Sequence, residues 1–130
     1  VPSLIKKFYD AKQNGGKVSV WGNGSAQRDF LYVKDAARAA LAIMENVDGP
    51  CNMGSGTVYS IKQIVETIAK ISDMEHALEW DASKPNGQDY RSYDLSRLND
   101  AGFSPEWAIE DGLRETWDWY CDQMEIGISK

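Results

Sequence analysis

Segments with helical periodicity alternate along this chain with short segments typical of strands, and this alternation restricts the fold more than any other feature. Apolar residues recur at helical spacing over Pro2–Gln13, where Asn14-Gly15-Gly16 ends the pattern. Lys17–Trp21 alternates polar with apolar residues, which predicts a half-buried strand. A second strand is predicted over Asp29–Val33.

The best-defined helix begins after Ser60. Ser60 and Gln63 have the spacing of a capping box, and an apolar stripe continues from there to about Ser72. An alanine-rich apolar face predicts an earlier helix over Val33–Met44. Between these two helices, Pro50–Met53 is typical of a short strand.

The second half of the chain continues the alternation. Ala77–Trp80 is a further candidate strand, and Asp81–Tyr90 is a polar loop kept irregular by its proline and glycine. Asp94–Ala101 predicts a short helix, and an apolar face beginning at Ile109 predicts a long final one. We therefore expect one compact α/β domain over residues 1–130, with short strands and four to five helices.

The charge balance excludes several classes of partner. Fourteen basic and twenty acidic side chains give a net charge of −6, which argues against nucleic acid and anionic membranes as partners. The sequence contains no apolar run of membrane-spanning length and no signal-peptide pattern at its start, so we expect a cytoplasmic location. Cys51 and Cys121 lie far apart with no ligand-spaced neighbours, and we expect both to be reduced packing residues.

Two glycine pairs, Gly22-Asn23-Gly24 and Gly54-Ser55-Gly56, invite comparison with a dinucleotide-binding fingerprint. That fingerprint needs a third small residue and a helix that opens at the glycines. Gln27 and Tyr59 occupy the third positions instead. We interpret both glycine pairs as turns and expect this chain to bind no cofactor.

Catalytic and metal-binding patterns are also missing from the sequence. His76 is the only histidine and stands in an acidic stretch, so we expect it to be solvated. Tyr32 and Lys34 lack the Tyr-x-x-x-Lys spacing that hydride-transfer chemistry uses. We predict no catalytic residue and no metal site in this chain.

Several cations and one aromatic residue stand at predicted loop edges: Lys7, Trp21, Arg28, Lys84 and Arg91. An arginine fork suits phosphate oxygens, and a tryptophan face suits a nucleobase. Spacing alone nevertheless favours ordinary surface cations and a core tryptophan over an anion site.

Three segments together resemble the extended short-chain dehydrogenases/reductases that act on nucleotide sugars, the NAD-dependent epimerase/dehydratase family. The segments are Val20–Asp35, Cys51–Gly56 with Ser60-Ile61, and Arg91–Leu98 with Ala101–Pro105. The resemblance runs nearly end to end and is to the C-terminal substrate-binding domain alone. It implies the small α/β fold of that domain without the Rossmann domain.

The resemblance also implies a set of ligand contacts. Lys7, Trp21, Arg28, Asn86 and Arg91 would line a nucleotide-sugar site, with a GDP-sugar favoured. Arg28 and Arg91 would meet the phosphates, and Trp21 would pack near the sugar or nucleotide. Lys7 and Asn86 depart from the arginine and aspartate usual at their positions.

In the family, the cofactor fingerprint and the catalytic residues precede the matching segment. The resemblance therefore implies a longer parent enzyme, an NADP-dependent epimerase/reductase and homodimer, in which this domain closes on an N-terminal Rossmann domain. Without that partner the chain would expose an apolar face and lack catalytic competence. Two alternatives stay open: the same domain of a UDP- or dTDP-sugar epimerase or dehydratase, and a stand-alone non-catalytic binding module.

Overall fold

A computed structural model describes residues 1–128. The helices are α1 (Pro2–Asn14), α2 (Val33–Asn46), α3 (Ile61–Ile71), α4 (Ser96–Asp100) and α5 (Ile109–Ile128). The strands are β1 (Val18–Trp21), β2 (Gln27–Asp29), β3 (Val58–Ser60), β4 (Leu78–Asp81) and β5 (Tyr90–Arg91), and one 3-10 turn spans Glu75–Ala77. The expected α/β class, with short strands and five α-helices in the described range, is confirmed.

The strands form two small sheets. In the first, β1 pairs in parallel with β4, so that Trp21 lies opposite Asp81 at the carboxyl ends of both strands. In the second, β2 lies between β3, which is antiparallel to it, and β5, which is parallel to it. Arg28 at the centre of β2 therefore stands between Tyr59 of β3 and Arg91 of β5.

The main core forms where α1, α3 and α5 pack together against β1. Its fully buried side chains include Phe8 of α1 and Ile64 and Ile68 of α3. The capping box that starts α3 is present: Ser60 Oγ accepts a hydrogen bond from the Gln63 backbone N–H at 3.1 Å, and Gln63 Oε1 accepts one from the Ser60 N–H at 2.8 Å. Three well-defined helices thus hold β1 in place.

Two predicted strands are wrong. The strand expected over Asp29–Val33 instead ends at Asp29, because its carboxylate turns into the Gly54–Gly56 loop and accepts hydrogen bonds from the Ser55 and Gly56 N–H groups at 2.8 and 2.9 Å. Pro50–Met53 is not a strand, because no neighbouring strand within residues 1–128 pairs with it. The glycine pairs form turns as predicted, and the second of them holds this internal carboxylate.

The expectations for His76, Cys51 and Cys121 are confirmed. His76 is exposed. Cys51 and Cys121 are both free and partly buried. Cys121 packs against the main core, and Cys51 packs against a second, smaller cluster of Ala39, Leu98 and Phe103. Within the described range, no helix is long and apolar enough to cross a membrane.

Candidate functional site

Residues 82–89 link β4 to β5, and we call this exposed segment the strap. Its two ends are fixed by backbone hydrogen bonds to different strands. At one end the Gly22 N–H, just after β1, donates to the Asp81 carbonyl at 2.8 Å. At the other end the Gln27 N–H, which begins β2, donates to the Asp89 carbonyl at 2.7 Å. The strap therefore connects the strand that carries Trp21 with the strand that carries Arg28.

Arg28 and Arg91 are direct neighbours across the parallel β2–β5 pair. Gln88 of the strap binds both of them. Arg28 Nη2 donates to the Gln88 carbonyl at 2.6 Å, and Arg91 Nη2 donates to Gln88 Oε1 at 3.0 Å. A guanidinium carries five N–H donors, so these bonds leave donors on both side chains for a ligand.

Arg28 and Arg91 have no carboxylate partner in the described part of the chain, although the protein is acidic overall. Most other cations are in ion pairs: Lys6, Lys12, Lys17, Lys34, Arg38, Lys62 and Arg114. Like charges placed opposite each other on neighbouring strands repel. An anion between the two guanidinium groups would relieve that repulsion, so this pair is a candidate phosphate site.

Trp21 is an exposed residue and not the core tryptophan that spacing alone favours. Its side chain is 62% exposed. Lys84 Nζ of the strap lies 5.8 Å from the centroid of the Trp21 ring, within the range of a cation–π contact. An exposed aromatic face beside a cation is suited to stacking a nucleobase or packing against a sugar.

Asn86 and Lys7 are each hydrogen-bonded close to Trp21 in sequence, Asn86 to the turn after β1 and Lys7 to β1 itself. Asn86 Oδ1 accepts a hydrogen bond from the Asn23 N–H at 2.8 Å, which fixes the strap to the turn after β1. Lys7 on α1 donates from Nζ to the Ser19 carbonyl of β1 at 2.9 Å. The structure thus brings Trp21 and Asn86 together through the turn, and Arg28 and Arg91 together through Gln88. Within residues 1–128 no direct contact joins Lys7 to either arginine.

A large cavity lies elsewhere and is an open apolar groove of about 730 Å³. It is lined by Val1, Pro2, Ile5, residues 30–34, Ile109, Gly112, Leu113, Glu115, Thr116, Trp119 and Tyr120. None of the five expected ligand contacts lines it. Val33 and Lys34 at the start of α2 line this groove. Farther along α2, Leu41 and Met44 lie on the same helix face and are 59% and 80% exposed.

A polar cluster stands on one wall of this groove. Lys34 pairs with Glu115 and lies 4.7 Å from the Trp107 ring, and the Tyr32 ring packs against the same tryptophan at 4.8 Å between centroids. The hydrogen bond from Lys34 lowers the pKa of Glu115, whereas burial raises the pKa of Tyr32. Lys34 pairs with Glu115 Oε1, whereas Glu115 Oε2 is buried and has no hydrogen-bond partner within residues 1–128.

Comparison with known proteins agrees with the motifs. Residues 1–61 match the model of the NAD dependent epimerase/dehydratase family. The chain is 36% identical over 127 residues to a probable GDP-L-fucose synthase 1 of Oryza sativa subsp. japonica, covering 95% of this chain and 39% of the relative. It is 32% identical to the GDP-L-fucose synthase of Escherichia coli (strain K12), covering 96% of this chain and 43% of that enzyme.

Solved structures give the same relationship. A GDP-L-fucose synthetase from Naegleria fowleri bound to NADP superposes with a TM-score of 0.85 at 31% identity, covering 95% of this chain and 40% of that one. A UDP-N-acetylglucosamine 4-epimerase from Methanobrevibacter ruminantium M1, in complex with UDP-N-acetylmuramic acid, gives 0.77 at 30% identity, with 92% and 39% covered. The chain thus has the fold of part of these enzymes and spans about 40% of their length.

Proposed function

We propose that residues 1–130 form the nucleotide-sugar-binding domain of an NADP-dependent epimerase/reductase of the NAD dependent epimerase/dehydratase family. The proposed substrate is a GDP-sugar, and the proposed parent reaction converts GDP-4-keto-6-deoxy-mannose to GDP-fucose. One observation carries the binding part of the proposal: Arg28 and Arg91 stand side by side with no carboxylate partner among residues 1–128, in a chain of net charge −6. The similarity to GDP-L-fucose synthases supports the choice of sugar nucleotide.

Each proposed contact residue has a distinct chemical role. Arg28 and Arg91 neutralise the pyrophosphate and donate to its oxygens, since arginine presents a planar fork of N–H groups. Trp21 packs against the nucleotide or sugar, because its face is exposed beside the strap. Lys7 adds positive charge near β1, and Asn86 contributes an amide beside the turn that follows Trp21.

Hydride transfer and epimerisation are assigned to a cofactor-binding domain that is supplied outside residues 1–130, with NADP as the cofactor. The Naegleria fowleri relative has NADP bound, and its matched region is less than half of that protein. We propose that this domain covers the apolar groove and the exposed face of α2, since contiguous exposed apolar surface is typical of interaction sites. The parent enzyme is proposed to be a homodimer.

A UDP-sugar is the second candidate substrate. The similarity to a UDP-N-acetylglucosamine 4-epimerase, at 30% identity, supports this alternative. Competition between GDP, UDP and dTDP for the same site separates the candidates, because the three share a diphosphate and differ in the nucleoside. Weak binding of all three nucleotides without preference would favour a non-catalytic module that recognises phosphate alone.

Calorimetric titration of the chain with GDP tests the proposal. We expect saturable binding that Arg28→Ala and Arg91→Ala each weaken by about tenfold or more, because each removes charge-assisted hydrogen bonds worth about 1.5–3 kcal/mol. Arg114→Ala is the matched control, since Arg114 is an exposed arginine paired with Glu110 on α5. Equal weakening by the control, or no binding of any nucleoside diphosphate by the unmodified chain, would contradict the proposal.

A further inference from the structure

We propose that Asn86 is a positioning residue: its side chain fixes the middle of the strap to the turn after β1 and thereby sets Trp21 relative to the Arg28–Arg91 pair. The inference rests on the proposed function in one respect only, which is that Trp21 and the two arginines contact one nucleotide. The placement of the strap itself follows from hydrogen bonds within the chain.

The middle of the strap has few other contacts: Lys84 Nζ lies 5.8 Å from the centroid of the Trp21 ring, and Gln88 binds the two arginines. Every residue from Ala82 to Gln88 is exposed, so packing contributes little to its position. Its ends are held by the backbone bonds to Gly22 and Gln27. Between those ends, the hydrogen bond from the Asn23 N–H to Asn86 Oδ1 is the one that reaches across to the turn within residues 1–128. We call this bond the Asn86 latch.

The Asn86 latch needs a residue without a side chain at position 22. Its φ of +79° favours glycine, and a Cβ at this position would lie 2.1 Å from Asn86 Oδ1 and 3.2 Å from Asn86 Cα. The first distance is far inside van der Waals contact, so a larger residue at position 22 displaces the Asn86 side chain. Gly22 and Asn86 therefore act as a matched pair directly after Trp21.

The latch connects the two halves of the candidate site. Trp21 immediately precedes the turn that Asn86 holds, and Gln88, two residues after Asn86, binds both Arg28 and Arg91. Residues 22–26 also join Trp21 to β2 and are held by hydrogen bonds from the Ile61 and Lys62 N–H groups, so the strap is a second connection between the two halves. Its release at Asn86 therefore loosens the position of Trp21 relative to the arginine pair. A ligand that touches both halves loses affinity when this happens, whereas a ligand that touches the arginines alone does not.

Two variants separate this role from a general structural one. Asn86→Ala removes the acceptor, whereas Asn86→Asp keeps an oxygen that can accept the Asn23 N–H. Amide hydrogen exchange of Asn23 reports the latch without any ligand. Titrations with GDP and with inorganic pyrophosphate, at a salt concentration that screens the added aspartate charge, report its effect on binding. Asn99→Ala, at an exposed asparagine of α4, is the control.

We expect Asn86→Ala to speed Asn23 exchange about three- to tenfold or more and to weaken GDP binding by about the same factor, which corresponds to one lost hydrogen bond. Pyrophosphate affinity should stay unchanged, and Asn86→Asp should restore both the exchange rate and GDP affinity. Gly22→Ala should weaken GDP binding as well, and part of its effect should persist in the Asn86→Ala background, because the φ of +79° is strained for alanine and its Cβ stays 3.2 Å from the Cα of residue 86.

Unchanged Asn23 exchange in Asn86→Ala, or an equal loss of GDP and pyrophosphate affinity, would overturn the positioning role. If the unmodified chain binds neither ligand, the proposed function fails. The exchange rate of the Asn23 amide then tests the Asn86 latch without any ligand. If Asn86→Ala speeds this exchange, the latch is supported. If Asn86→Ala leaves it unchanged, the latch is overturned.

Discussion

Removing the carboxylate of Asp35 should destabilise the domain more than any surface substitution. The Asp35 side chain is only 1% exposed. It accepts backbone hydrogen bonds from Glu106 and Trp107, each at 3.0 Å, and a 2.6 Å ion pair from Arg38. It also stands in the first turn of α2, where the helix dipole favours negative charge. One side chain thus ties α2 to the segment before α5.

The magnitude follows from the groups left behind. Asp35→Ala leaves two backbone N–H donors without their acceptor, at about 1–3 kcal/mol each when buried. The Arg38 side chain is 39% exposed and keeps its 2.6 Å contact with Glu106, so loss of the ion pair adds little. We expect a loss of about 3 kcal/mol in the free energy of unfolding for Asp35→Ala, and about 2 kcal/mol for Asp35→Asn, whose amide oxygen replaces one acceptor.

Urea unfolding measures these differences, with Glu45→Ala as the control because Glu45 is an exposed acid of the same helix. The control should change stability by less than about 0.5 kcal/mol. A loss of under about 1 kcal/mol for Asp35→Ala would refute the account of this carboxylate.

The lowered pKa of Asp35 predicts how the stability of the domain depends on pH. Burial alone would raise its pKa, but the hydrogen bonds from Trp107, Arg38 and Glu106 outweigh burial and lower it. A carboxylate with a lowered folded-state pKa contributes stability in full above its unfolded pKa, near 3.9, and loses that contribution as the pH falls toward the folded value. The stability difference between the unmodified chain and Asp35→Asn should therefore be constant from pH 7 to about 5 and shrink below about 4. A difference that grows with acidification would contradict this sign.

Three further substitutions test other parts of the structure. Ser60→Ala should lower the free energy of unfolding by about 1 kcal/mol in urea titrations, because it removes the capping box of α3, and no change would contradict the assigned cap. Gly54→Ala should cost about 1–3 kcal/mol, since its Cβ would lie 2.7 Å from Asp29 Oδ2, and an unaltered urea midpoint would show that the loop has room. The chain should bind a hydrophobic dye through its apolar groove and α2 face, and Met44→Lys should reduce that binding; a sedimenting monomer that binds no dye would count against the exposed face.

Local sequence signals predicted the elements that depend on local chemistry. The capping box at Ser60 fixed the start of α3 to the residue, and helical periodicity located α1 and α5. In contrast, β5 has only two residues and forms because β2 lies beside it, so no local sequence pattern predicts it. Pro50–Met53 has strand-like composition but lacks a neighbour to pair with, which is the converse case.

The same limit applies to the candidate site. The resemblance named Arg28 and Arg91 separately, but only the parallel pairing of β2 with β5 makes them neighbours. The bridging role of Gln88 had no sequence signal, since a glutamine in a polar loop is ordinary. The exposure of Trp21 likewise depends on its position at the end of β1, which periodicity alone does not settle.

The central claim is that the guanidinium groups of Arg28 and Arg91 together form the phosphate site of a nucleotide-sugar domain. The most direct measurement follows the Nε–H signals of both arginines by nitrogen-15 NMR while GDP is added. The account predicts that both signals shift with one common saturation curve, while the signal of Arg114 stays in place. Saturation that leaves Arg28 and Arg91 unshifted would contradict it.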